Sequence, residues 1–342
     1  MTIKRLLITR FSAMGDVAMC VPVVWSLASQ YPDLQIFFAS RKNFAPMFTH
    51  CPNNIQFIGI DLKNDYKGFS GLNKLFTELN SLKIDAYADF HDVLRTKYLR
   101  FRARLSGIKI AKIDKGRSEK KWLTKKGANR CKPLKTTVER YKNALEKLGF
   151  DFIFSFTTIL DKSNSELSAD IQQITGNKTQ KWIGIAPFAA HKGKILPIEK
   201  TEEIVRKLAK NNCKIFLFGA GNNERSILES WNYENVVSVA NKLGGLSNEL
   251  LLISKLDCML SMDSANMHLA SLVGTRVVSV WGATHPAAGF LGINQSLSDA
   301  VQVDLPCRPC SIYGNKECRL SDKYKCLTNI SADDIVKKIL DS

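Results

Sequence analysis

An α/β fold with two open parallel sheets in tandem is predicted by three features of the sequence. Apolar runs of strand length alternate with segments of helical period from the first residues onward, and the same rhythm restarts after a polar stretch near the middle. Several of the runs also end in short turns carrying Gly, Asp or Ser before the next helical pattern. A length of 342 residues accommodates two domains at roughly 150 residues each, both large enough for an apolar core.

In chain order, residues 3–11, with the apolar stretch Leu6 to Ile8 at their centre, predict a buried strand, followed by a short turn and a helix over 17–29 with one apolar side. Strands are predicted at 35–39 and 56–60, a helix at 71–81 and a strand at 86–90. Residues 95–104 interleave basic and apolar side chains and predict a helix with one basic side, and the helix over 137–148 stops at Gly149 in the manner of a C-cap. Polar residues 161–180 lack periodicity and mark the boundary region, giving an amino-terminal domain over 1–165 and a carboxyl-terminal domain over 166–342. The second domain alternates strands at 182–186, 214–218, 236–239, 258–261 and 277–281 with helices at 199–211, 226–231, 246–254 and 266–273. A final helix is free to pack back on the first domain. Ligands of open parallel sheets bind outside the carboxyl ends of the strands, so the loops after residues 11, 186, 218, 261 and 281 are the places for chemistry, with a cleft expected between the domains.

Composition narrows the classes. Hydrophobic residues make up 45% of the chain and charged residues 24%, which excludes a largely disordered or fibrous protein. The apolar start is broken at Arg10, short of a signal-peptide core or a membrane span, so a cytoplasmic protein with free or metal-bound cysteines is expected. The net charge of +17 is concentrated: residues 95–147 hold 19 Lys or Arg against four acids. A field of that kind gathers anionic partners, namely nucleic acid, anionic lipid headgroups or a phosphorylated glycolipid, or it is simply a solvated basic surface.

Four loops carry residues suited to chemistry. In the first turn, Gly15 allows close approach and Asp16 is placed either to cap the following helix or to take a proton as a general base. Asp263, Ser264, Ala265 and His268 open a helix directly after a strand, where free N–H groups and the helix dipole form an anion site fit for a diphosphate, or where Asp263 or Ser264 caps the helix and His268 packs. Lys194 lies in a loop before Pro197 and offers a mobile positive charge to a phosphate. Gly219 and Gly221, with Glu224 beyond them, form either a tight turn or a bed for a nucleoside whose ribose Glu224 would hold. Near the end, Cys307 and Cys310 are two residues apart, and Cys318 and Cys326 follow at intervals of seven, a set that suits either a structural zinc or free thiols in a loop.

The motifs RFSAMGDV, KILP, LFGAGNNE and MDSANMHLASLVGTRVVSVWGATHP, in this order and at compatible spacing over residues 3–330, resemble the bacterial lipopolysaccharide heptosyltransferases of glycosyltransferase family 9. The resemblance implies two facing Rossmann-like domains, the GT-B glycosyltransferase architecture, with acceptor bound by the first and nucleotide sugar by the second. It implies an inverting transfer of a sugar, heptose from ADP-heptose, to the phosphorylated inner core and lipid A region of lipopolysaccharide, with no cofactor needed for catalysis. Asp16 then matches the catalytic base and Lys194 the donor-phosphate lysine. Asp263, Ser264, Ala265 and His268 match the donor-binding segment, with Glu224 near the nucleoside. Arg95, Lys97, Arg100 and Arg102 fall where members bind the phosphorylated acceptor. The expected partners are a nucleotide-sugar donor, an anionic glycolipid and the cytoplasmic face of the inner membrane, without nucleic acid. Phe188 stands where the family has glycine, Leu196 where it has tryptophan and His285 where it has aspartate, all around the donor pocket. The rival readings are a nucleic-acid-binding protein that uses the basic 95–147 segment and an enzyme of this fold with another sugar nucleotide.

Overall fold

A computed structural model describes residues 3–125, 132–161 and 166–341; Lys126 and Arg130 of the basic stretch and residues 162–165 of the boundary stretch lie outside the described residues. The chain divides into two compact units, Met1–Lys115 with Thr137–Ile159, and Gly116–Thr136 with Leu160–Ser342. Part of the basic stretch, contributed by the amino-terminal half of the sequence, therefore belongs to the second unit.

The first unit is built on β1 (Arg5–Thr9), β2 (Gln35–Arg41), β3 (Ile55–Ile60), β4 (Ala86–Asp89) and β5 (Lys109–Lys112), all parallel in the order β3-β2-β1-β4-β5. Helices cover both faces, which is why β1 and β2 are apolar without alternation. Leu7, Phe37, Leu75, Leu79, Tyr87 and Leu99 pack together on one face of the sheet. The helix Met14–Gln30 buries Val17, Val21, Val24 and Leu27, at helical spacing, within the unit. This helix begins earlier than the predicted residue 17, so Asp16 stands in its first turn, where its carboxylate accepts the Ala13 N–H at 3.1 Å and meets the positive end of the helix dipole. The edge strand β5 was not predicted: Lys109 and Lys112 point outward from it, and charged residues of this kind are how an exposed edge avoids pairing with another chain.

The second unit carries β6 (Lys181–Ala186), β7 (Cys213–Leu217), β8 (Val236–Ser238), β9 (Cys258–Met262), β10 (Val277–Val280) and the two-residue β11 (Ala300–Val301), all parallel in the order β11-β10-β9-β6-β7-β8. Its core joins Ile183, Ile185, Leu260, Val278 and Val280 of the sheet to Ile204, Val205 and Leu208 of the helix Ile198–Lys210. The final helix, Ala332–Leu340, which the sequence left free to pack back on the first domain, buries Ile335, Val336 and Ile339 in this same core, beside the helix Ile198–Lys210. Leu123, from the helix Arg117–Leu123, packs with Ala287 and Ala288, and the Leu134 N–H donates to the Ala287 carbonyl at 2.9 Å. Among the described residues no helix is long and apolar enough to cross a membrane.

Both sheets reverse their winding once, between β1 and β4 in the first and between β6 and β9 in the second. At such a switch point the loops leaving the two neighbouring strands diverge to opposite faces and open a crevice, so each unit has one topologically favoured place for a ligand.

Candidate active-site loops at the two switch points

At the first switch point the loop after β1 leads to Asp16. Its carboxylate is 2.6 Å from the Arg10 guanidinium, and the acid is 29% exposed against 9% for the arginine. Arg10 is itself fixed by donating to the Phe90 carbonyl at 2.8 Å. From below, the Tyr141 hydroxyl and the Cys20 thiol donate to the Asp16 carbonyl, and the Tyr141 ring stacks on Phe90 with centroids 4.6 Å apart. A partly exposed carboxylate oriented by a buried cation has the placement that proton abstraction requires.

The loop after β4 faces this pair and contains a residue that the sequence reading did not select, His91. The Phe11 N–H donates to its Nδ1 at 3.4 Å, which leaves the proton of the neutral ring on Nε2, 3.5 Å from the Ser12 hydroxyl. Burial, with help from the charges of Arg10 and Lys115 and against the pull of Asp16, lowers the His91 pKa to about 3. The ring is therefore an uncharged neighbour of the Ser12–Asp16 turn. Asp89, fully buried at the end of β4, shapes the loop by accepting the N–H groups of His91 and Asp92 at 2.8 and 2.9 Å. Arg100 neutralises it, with Nε 3.2 Å from Asp89 and Nη2 3.0 Å from Asp92.

That geometry divides the four basic residues predicted to bind acceptor. Arg100 is engaged inward by Asp89 and Asp92, and Arg102 bonds to Asn73 and the Tyr98 hydroxyl while lying 4.6 Å from the Phe76 ring centre. Arg95 and Lys97 are exposed.

At the second switch point the polarity is inverted. The Lys194 ammonium lies 2.9 Å from the Asp263 carboxylate and donates to the Asp263 carbonyl at 3.1 Å; the acid is 4% exposed and the lysine 15%. Asp263 follows β9, and Ser264 occupies the N-cap position of the helix Ala265–Leu272 without a side-chain capping bond, its hydroxyl 3.2 Å from that of Ser261. Ala265 opens this helix and His268 is buried on it. The result is a positive charge held beside free helix-terminal N–H groups, which is the composition of a phosphate site. Two glycines let the lysine loop sit there. A side chain at Gly314, whose φ is +74°, would meet the Lys194 Cγ at 2.6 Å, and one at Gly193 would meet the Gly314 carbonyl at 2.9 Å.

Glu224 accepts the Ala220 N–H at 2.7 Å and so closes the first turn of its own helix, Gly221–Ser230. Gly219 is required because a side chain there would strike Leu228 at 2.9 Å, and Gly221 has a φ of +76°. His285 accepts the Ala287 N–H at 3.0 Å through Nδ1, the capping role an aspartate would fill, and burial lowers its pKa. Leu196 is fully buried, and Phe188 packs against the core of the second unit.

Among the described residues Cys307, Cys310, Cys318 and Cys326 form no disulfide, and no three His, Cys, Asp or Glu side chains gather as a metal site. The bracing of their loop that is present comes from Arg308, which is buried and donates to the carbonyls of Gly282, Trp281 and Thr284 at 2.5, 3.0 and 2.9 Å.

Residues 73–320 match the family model described as glycosyltransferase family 9 (heptosyltransferase). The lipopolysaccharide core heptosyltransferase OpsX of Haemophilus influenzae is 25% identical over 296 residues, covering 83% of this chain and 80% of that protein. Among solved structures, the Escherichia coli ADP-heptose lipopolysaccharide heptosyltransferase II is similar with a TM-score of 0.71 at 16% identity, covering 98% of both chains. The E. coli heptosyltransferase WaaC with ADP-2-deoxy-2-fluoro heptose has a TM-score of 0.68 at 17% identity over 98% of this chain and 99% of that one. The strand order, the two switch points and the match across most of the sequence agree: the chain belongs to glycosyltransferase family 9, the heptosyltransferases, with the GT-B architecture.

Proposed function

We propose that the chain is an inverting heptosyltransferase that moves heptose from ADP-heptose onto the phosphorylated inner core of lipopolysaccharide at the cytoplasmic face of the inner membrane. The observation that carries the reading is the Lys194–Asp263 pair beside the start of the helix Ala265–Leu272, a fixed cation among free N–H groups at a switch point. A nucleoside diphosphate is the leaving group such a site suits, because the charge that builds on its terminal phosphate as the sugar departs meets groups already oriented for it. The family relatives named above for ADP-heptose and lipopolysaccharide core point the same way.

In the proposed reaction Asp16 takes the proton of the acceptor hydroxyl, and that oxygen attacks the anomeric carbon of the donor. The bond from that carbon to the phosphate oxygen breaks on the opposite side, its electron pair leaves with ADP, and Lys194 offsets the new charge. A single displacement inverts the anomeric configuration. Arg95 and Lys97 suit acceptor phosphates, and Ser264, Ala265 and His268 line the donor side. The proton moves to a side chain and the charge to bound phosphate, so no metal is needed in this scheme.

The test offers the protein a panel of sugar nucleotides with a phosphorylated inner-core acceptor, and follows nucleoside diphosphate release and the anomeric configuration of the product. Acceptor-dependent release of ADP from ADP-heptose with inversion is expected. Retention would remove the single displacement, and turnover of another sugar nucleotide in preference would remove the donor assignment.

A further inference from the structure

The helix Leu94–Leu105, which leaves the switch-point loop of the first unit, has two apolar sides. Thr96, Leu99 and Ala103 are buried against the unit, whereas Leu94, Phe101 and Leu105 are 84, 59 and 71% exposed. At about 100° per residue the three exposed side chains fall within roughly 40° of one another and nearly opposite the buried three. Basic residues flank this outer stripe: Lys97 and Arg104 on one side, Arg95 on the other, all exposed. The apolar area extends past the helix, since Phe69 is 66% exposed with its ring 4.9 Å from that of Tyr98, one turn from Leu94, and the exposed Lys67 stands beside it in the chain.

From this arrangement we infer that the outer side of Leu94–Leu105, with Phe69, is a membrane-docking face that inserts Leu94, Phe101 and Leu105 among the acyl chains of an anionic bilayer. Aromatic and leucine side chains on the surface of a soluble unit cost little there only if something apolar covers them, and the basic flank selects a negatively charged cover. Lysine and arginine suit such a boundary because their stems lie along the apolar zone while their charges reach the headgroups. A nucleic acid would match the charge but not the central stripe, which has no stacking partners arranged for bases. The inference rests on the proposed lipid-linked acceptor for its purpose, since it would hold the Asp16 unit at the surface where that acceptor is embedded.

Sedimentation with vesicles tests it. The full chain should pellet with phosphatidylcholine vesicles containing phosphatidylglycerol and remain in solution with phosphatidylcholine alone. The triple variant Leu94→Ser, Phe101→Ser, Leu105→Ser should lose at least tenfold in vesicle affinity with its melting temperature unchanged, and should keep normal turnover of a soluble, deacylated acceptor. Arg104→Glu should weaken binding and reduce its salt dependence. Vesicle binding by the triple variant equal to that of the parent overturns the proposal, as does failure of the parent to bind anionic vesicles, or binding to single-stranded RNA that vesicles do not displace. Loss of transfer to the soluble acceptor in the parent itself would instead strike at the proposed reaction, so the two failures are distinguishable.

Discussion

At the switch point of the first sheet a buried arginine serves an exposed carboxylate; at that of the second a buried carboxylate serves a lysine. Arg10 is 9% exposed and Asp16 29%, whereas Asp263 is 4% exposed and Lys194 15%. In the proposed reaction the more exposed member of each pair meets a substrate, and the more buried member holds it in position. On that proposal the same parallel topology presents a proton acceptor in one unit and an anion cradle in the other, and what differs is which sign of charge is the more exposed. A buried charge without its partner is costly, so the holder and the working residue depend on each other. This comparison can be broken or sharpened residue by residue.

The largest effect is expected for Asp16→Asn. General-base assistance contributes about 10²–10⁴-fold, so kcat should fall by that factor; the amide oxygen can still accept from Ala13 and Arg10, but the buried guanidinium loses its counter-charge, so a lowered melting temperature should accompany the loss. Turnover within tenfold of the parent would place the working group of the first unit elsewhere. Next is Arg100→Met, which removes the guanidinium that faces Asp89 and Asp92. Removing one member of such a buried network costs about 3–5 kcal/mol, measurable by urea unfolding, and the comparable change Lys97→Met on the same helix should cost under about 0.5 kcal/mol. Equal effects of the two would mean that the loop carrying His91 does not depend on buried charge. In the second unit, Lys194→Ala should lower kcat/KM for the donor by about 10²–10³-fold, the loss typical of a removed charge-stabilising group. Acceptor KM should stay constant, and a donor effect below threefold would break the parallel drawn between Asp16 and Lys194.

Much of this was legible from sequence because it is local. A strand followed by Gly-Asp or Asp-Ser at the start of a helix signals a strand-to-helix turn, and Asp16, Asp263 and Ser264 lie in such turns, while Lys194 lies in a glycine-containing loop before Pro197. Two things local pattern could not supply. The pairing of β1 with β4 brings His91 to Phe11 and Ser12 across about 80 positions of sequence, and nothing near His91 signals it. Likewise Arg100 belongs to an apparently basic helix face, yet its charge turns inward because Asp89 and Asp92 stand at the end of the adjacent strand. Glu224 illustrates the opposite case: both readings of it were visible beforehand, and in this structure its carboxylate is bonded to the backbone of its own turn.

The smallest expected effect belongs to the first switch point, where His91 lies beside the Ser12–Asp16 turn. An imidazole whose pKa lies near 6.5 when unfolded and about 3 when folded is protonated more in the unfolded chain throughout that interval. Folding stability must then rise with pH across the window and fall as acid is added, by at most about 1.4 kcal/mol per pH unit from this group. His91→Gln keeps a neutral hydrogen-bonding side chain and removes the titration, so its stability between pH 6.5 and 4.5 should decline less steeply than that of the parent, while Arg10 and Asp16 stay paired. Parallel declines for the two proteins would show that His91 protonates freely in the folded state, and with it would go the picture of an uncharged wall beside the Asp16 turn.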